Sequence, residues 1–149
     1  MHENYIPKTE QELENWMKRN CFNFNNYSIN GNLINEGFGI DKVKGLFIWF
    51  YTERGQKSEL KSFHTEQEVI KYAYEQIKTD KWAKTHCIGF TSNKSKAEKL
   101  CSILNNMKIQ YIEDIIPYYG IQYPVYRIFV LGCDIKKTQF LRKEYWTEK

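Results

Sequence analysis

From Leu46 to Tyr51 the chain reads Leu-Phe-Ile-Trp-Phe-Tyr, six apolar or aromatic residues in succession, before turning polar at Thr52, Glu53 and Arg54. Successive side chains of a strand point to opposite faces, so a run that is apolar at every position describes a strand covered on both sides. Such a strand belongs in the middle of a sheet. Gly55 and Gln56 then supply a tight turn and Leu60 to His64 a returning strand, which makes the pair a hairpin. The 149 residues suffice for a core around it, because a chain of this length buries about 70% of its extended surface.

The periodicities on either side predict what packs there. Leu13, Trp16 and Met17 recur at helical spacing between Thr9 and Arg19, with Glu10, Glu12 and Glu14 near the start, where a helix dipole favours acids. The Asn- and Gly-rich stretch 21–45 reads as short strands around Tyr27, Ile29, Phe38 and Ile40, separated by turns. Thr65 and Glu68 stand at capping-box spacing, and Val69, Ile70, Ala73 and Ile77 line one face of the helix they open. Trp82 follows, available to cover a hydrophobic edge, before a short buried strand from His86 to Thr91. Ser92 or Asn93 caps a third helix bearing Ala97, Leu100, Cys101, Leu104 and Met107. Strands over 108–116 and 122–131 flank a turn at Pro117 to Gly120, and a final helix spans about 136–146. With no linker or internal repeat, the expectation is one α+β domain over 1–149, a largely antiparallel sheet with helices packed on it.

Charge and cysteines bound the environment. Lys and Arg number 22 against 18 Asp and Glu, a formal +4 with the lysines interleaved among acids; a dedicated phosphate binder concentrates its cations. The densest cluster, Lys136, Lys137, Arg142 and Lys143, also holds Glu144 and reads as a solvated helix surface. No stretch approaches the roughly 18 apolar residues that cross a bilayer, and the opening residues lack the apolar segment of a signal peptide. The expectation is a cytoplasmic protein without a membrane partner. Cys21, Cys87, Cys101 and Cys133 are far apart, without a CxxC pair or zinc-finger spacing to His, and read as buried reduced thiols.

Motifs that name a reaction are missing: there is no GxGxxG, Walker loop, GxSxG, HExxH or EF-hand pattern. The glycines of EGFGID lack phosphate-cradle spacing and read as a turn. His2 lies near the terminus, and His86 and Cys87, as strand neighbours, point to opposite faces and make no catalytic pair without a bulge. Glu53, Arg54 and His64 could assemble a small hydrolase site, or Glu53 and Arg54 could hold the hairpin corner. Glu113 and Asp114 alternate in a strand, which argues against a paired-carboxylate metal site. Neither a metal nor a cofactor is expected. Aromatic residues make up 16% of the chain, including eleven tyrosines, more than a core of this size consumes. Tyr118, Tyr119 and Tyr123, at a turn and a strand start, read as a partner-binding patch, as a base-stacking platform, or as a sheet corner with its phenol tips in water.

The stretch Trp49 to Tyr74 carries an aromatic strand ending in Thr52-Glu53-Arg54-Gly55, a polar return strand, then Phe63-x-Thr65-Glu66-x-Glu68 opening a helix. In this it resembles the immunity proteins of bacterial polymorphic toxins of the contact-dependent growth inhibition type. The resemblance covers about one sixth of the chain, and from His86 onward it stops. It implies a non-enzymatic cytoplasmic protein that binds and neutralises a cognate toxin domain, often a nuclease, by stoichiometric protein–protein inhibition. Such a protein needs a complementary surface and a few aromatic and charged anchors; the candidates are Glu113, Asp114, Tyr118, Tyr119 and Tyr123. The alternative is a nucleic-acid-binding module using exposed tyrosines and scattered Lys and Arg.

Overall fold

Leu46–Glu53 forms the strand β3, and its neighbours are β2 (Glu36–Val43) on one side and β4 (Gln56–Phe63) on the other, with the two-residue β1 (Tyr27–Ser28) beyond β2. The computed structural model that shows this describes residues 5–147, with side chains through Trp146. Trp49 is buried on one face of β3 and Ile48 and Phe50 on the other, which is why the strand tolerates no polar residue along its middle. The β3–β4 hairpin closes at Arg54 and Gly55, both with positive φ (54° and 79°), one residue earlier than the sequence placed the turn. Two consecutive left-handed residues make a turn whose twist matches that of the strands it joins, and Lys44 and Gly45 close β2–β3 in the same way.

Backbone contacts gather the chain into two compact units, Met1–Ala83 and Lys84–Lys149. In the first, α1 (Glu10–Arg19) starts at Thr9, whose hydroxyl accepts from the Glu12 amide, and presses the fully buried Leu13 and Met17 into the core. Helix α2 (Glu66–Lys78) opens with the reciprocal capping box of Thr65 and Glu68 and buries Val69, Ile70, Ala73 and Ile77. Their target is an aromatic layer on the sheet: Phe38 stacks on Trp49 at 5.7 Å between centroids, and Tyr72 meets Trp49 edge-on at 5.8 Å. Each fully buried aliphatic side chain there is worth about 1.5–3 kcal/mol of transfer free energy. Tyr27 donates its hydroxyl to Asp80 at 2.6 Å, tying β1 to the end of α2. Trp82, in a 3-10 turn over Lys81–Lys84, is half exposed.

The second unit has a sheet of order β6-β7-β5-β8, from β5 (Thr85–Thr91), β6 (Tyr111–Ile116), β7 (Val125–Leu131) and the short β8 (Trp146–Thr147). Helix α3 (Lys94–Asn106), capped by Asn93, packs Ala97, Leu100 and Leu104 against Ile88, Ile128 and Val130. Gly89 lets it come close: a Cβ there would lie 2.6 Å from Leu100 Cδ2. The sheet pairing shifts by a residue between Cys87 and Gly89, a bulge at that contact.

The fold is α+β with strands paired mostly antiparallel, as the sequence indicates; β1–β2 and β5–β8 are the parallel pairs. Three expectations are corrected. The last helix is broken: α4 (Ile135–Thr138) and α5 (Arg142–Tyr145) are separated by a 3-10 turn over Gln139–Leu141. EGFGID is neither turn nor cradle but lies inside β2. Of the four cysteines read as reduced, only Cys87 and Cys101 are free, while Cys21 and Cys133 are disulfide-bonded.

Candidate functional site

The connection from β6 to β7 runs Pro117-Tyr-Tyr-Gly-Ile-Gln-Tyr-Pro124. Proline at both ends keeps helix from forming into or out of it. Inside, the Gly120 amide donates to the Pro117 carbonyl at 3.0 Å and the Tyr123 amide to the Gly120 carbonyl at 2.9 Å, folding the loop into two successive turns. That geometry turns apolar side chains outward: Ile121 is 90% exposed, Tyr123 63% and Tyr118 57%, with Ile115 of β6 beside them in sequence at 61%. Tyr118 is braced from behind, since its ring meets Tyr119 at 4.8 Å and Phe90 at 5.1 Å, both edge-on, and Phe90 in turn stacks on Trp146 at 5.5 Å. Tyr119, Tyr123, Ser92, Gln122 and Pro124 line an open hollow at the loop's base. A rigid aromatic ring backed by other rings suits an anchor, because little side-chain entropy is lost on contact.

The two acids of the candidate patch part company, as their alternation dictates. Asp114 lies directly across from Arg127 on β7 and takes both of its guanidinium hydrogen bonds, at 2.9 and 2.6 Å. Those bonds push the Arg127 pKa up and occupy the Asp114 carboxylate. Glu113 faces the other way, toward α3, where Cys101 donates its thiol to Glu113 Oε1 at 3.6 Å. Burial first, and then the Glu113 charge, push the Cys101 pKa up to about 11. The structure therefore gathers Tyr118, Tyr119 and Tyr123 in one loop and sends Glu113 and Asp114 to opposite faces of the strand that leads into it.

The hydrolase grouping does not assemble. Glu53 pairs with Gln56 at one end of the β3–β4 hairpin, whereas His64 follows Phe63 at the other, roughly 25 Å away at the rise of a strand. Glu53 instead accepts from Tyr51 at 3.0 Å and sits 4.0 Å from Arg54, a hairpin-corner role. Among the described residues no group of three or more His, Cys, Asp or Glu is placed to hold a metal ion, and no helix is long and apolar enough to cross a membrane; His2 lies outside those residues. In the basic cluster, Arg142 donates to the Cys87 carbonyl at 3.0 Å and Lys137 lies 3.7 Å from Asp134.

Sequence reasoning passed over the polar face of α3. Lys94, Ala97, Glu98, Cys101, Ser102 and Asn105, at helical spacing, form one wall of a groove whose other wall is Glu113, Ile115 and Tyr126. The spacing was visible in the sequence, but which strand lay beside it was not. Comparison with protein-family models, with curated proteins and with solved structures finds no match to this chain.

Proposed function

We propose that the chain is an immunity protein: it binds a cognate bacterial toxin domain, a nuclease by preference, and neutralises it stoichiometrically without chemistry of its own. The observation that carries this reading is the exposure of Tyr118, Ile121 and Tyr123 on one loop, with the Tyr118 ring backed by Phe90 and Tyr119. Contiguous apolar side chains held out to water mark a surface meant to be covered, and aromatic anchors of this kind carry most of the energy of a protein interface. Tyr119 and Glu113 complete the proposed patch, while Asp114 serves it by fixing Arg127 and the strand register. Co-expression with the product of the neighbouring gene tests the reading. A one-to-one complex in which the toxin is inactive is expected; a toxin that ignores this protein would end it.

The proposal places the protein in the cytoplasm, where standing disulfides are rare, whereas Cys21 and Cys133 are disulfide-bonded in the structure. Alkylation of protein denatured straight from acid-quenched cells decides between them: label on all four cysteines fits the cytoplasm, and label on Cys87 and Cys101 alone would move the protein to an oxidising compartment.

One observation favours the second reading, a nucleic-acid-binding module. The formal charge is divided unevenly: residues 1–83 hold 11 Lys and Arg against 12 Asp and Glu, a net −1, and residues 84–149 hold 11 against 6, a net +5. Affinity for a single-stranded oligonucleotide that falls steeply with salt would support it.

A further inference from the structure

The two sheets expose long outer strands of opposite character. In the first unit β4 reads Gln-Lys-Ser-Glu-Leu-Lys-Ser-Phe, and its pairing with β3 shifts by a residue opposite Trp49 and Phe50. Lysines and a bulge are the usual devices that keep a sheet edge from accepting another strand. In the second unit β6 reads Tyr-Ile-Glu-Asp-Ile-Ile, with neither lysine nor proline, and pairs with β7 in unbroken register over all six residues. Among the described residues no other strand pairs with it. Its outer row of backbone groups is regular and carries neither of those two devices.

Beside that edge runs the groove of about 310 Å³ between α3 and the sheet. Helix α3 packs chiefly over β5 and β7 and meets β6 where the Cys101 thiol donates to Glu113. Glu113 and Ile115, two residues apart on β6, face the groove together, so an added strand would send every second side chain into the same space. Small residues, Ala97 and Ser102, leave room there, and Glu98 and Glu113 outnumber Lys94 in its lining, which makes it acidic. Neither carboxylate has an ion-pair partner among the described residues.

We propose that this groove seats an extended segment of a partner protein, added as a fifth strand along β6, with a Lys or Arg side chain directed between Glu98 and Glu113. Backbone hydrogen bonds to the β6 edge supply affinity, and the groove selects the alternate side chains. The elevated Cys101 pKa reports the same negative potential, since Glu113 and Glu98 both contribute to it after burial. The proposal goes beyond the inhibitory reading and stands without it, because it specifies how a chain docks and not what the docked chain does.

The probe is the peptide acetyl-Thr-Val-Thr-Lys-Thr-Val-Thr-amide, compared with the same peptide carrying Glu for Lys, titrated into ¹⁵N-labelled full-length protein. Amide shifts confined to β6 and the groove face of α3 are expected, with the Lys peptide bound about fivefold more tightly, the upper scale of a partly exposed ion pair. That preference runs against the protein's overall +4 charge, so non-specific attraction would give the reverse order. The double variant Glu98→Gln/Glu113→Gln should erase it while leaving the far-UV spectrum unchanged, and Ser102→Lys should reverse it. Shifts along β4, equal affinity for the two peptides, or no shift at millimolar peptide would each overturn the proposal. Loss of toxin binding with the peptide result intact would count against the inhibitory reading alone.

Discussion

Cys101 sits where burial and two carboxylates act in the same direction. A thiolate beside Glu113 and Glu98 is penalised by both charges and by desolvation, which lift its pKa to about 11. At pH 8 only about one thiol in a thousand is then ionised, against roughly one in four at the unperturbed value, so alkylation runs some hundredfold slower than for an ordinary thiol. Glu113→Gln removes a neighbouring charge and the thiol's best acceptor. The Cys101 pKa should fall and its alkylation rate at pH 8 rise severalfold, followed by mass spectrometry on a Cys87→Ser background. An unchanged rate would show that burial alone sets the thiol. At this scale the sequence was legible where alternation decided the answer. It separated Glu113 from Asp114, and it could not show that Asp114 would spend itself on Arg127, because that partner is fixed by the β6–β7 register. Tyr27 and Asp80, 53 residues apart, met for the same kind of reason and carried no local signal.

Elements whose causes are local were readable, and those whose causes are distant were not. Thr65 and Glu68 cap α2 reciprocally, with bonds of 3.2 and 3.3 Å, as their spacing requires. Thr65→Ala deletes the bond to the Glu68 amide and should lower stability by about 1 kcal/mol, read from the urea midpoint at unchanged slope. A cost near zero would mean that the Glu68 carboxylate and the helix packing suffice. The last helix defeated the periodicity for a traceable reason. Buried Thr138 donates its hydroxyl back to the Asp134 carbonyl at 2.8 Å and leaves helical geometry at φ −123°, ψ −9°; a threonine bonded to the carbonyl four residues behind it competes with the ladder. Strand order was hidden as well. A period of two tells which residues share a face and nothing about which strand lies alongside, so β7 between β5 and β6 could not be read. The groove beside β6 was hidden with it, since an edge exists only once the order is known.

For the molecule as a whole, a net +4 looked diffuse along the sequence, yet the fold collects its excess in residues 84–149, at +5. Several of those cations are already committed. Arg127 is held by Asp114, Arg142 by the Cys87 carbonyl, and Lys96 donates to the Glu144 carbonyl at 3.3 Å. Lys94, Lys99 and Lys108, on and just after α3, and Lys136 and Lys143, in the broken C-terminal helix, stand exposed without such a bond. Nucleic-acid affinity scales with the number of phosphates neutralised at once, and each contact released costs nearly one unit of salt slope. Five lysines dispersed over two elements engage two or three phosphates together, which gives a shallow slope and little affinity at physiological ionic strength, whereas a built nucleic-acid site concentrates its cations. Fluorescence anisotropy with a twenty-nucleotide single strand should accordingly show weak binding at about 20 mM salt and none below about 100 μM protein at about 150 mM. Lys136→Ser/Lys143→Ser should weaken the low-salt binding and leave the toxin complex intact. Micromolar binding that persisted at about 150 mM and was weakened by that pair of substitutions would transfer the function from the tyrosine loop to these helices, because only a surface that engages many phosphates together survives such screening.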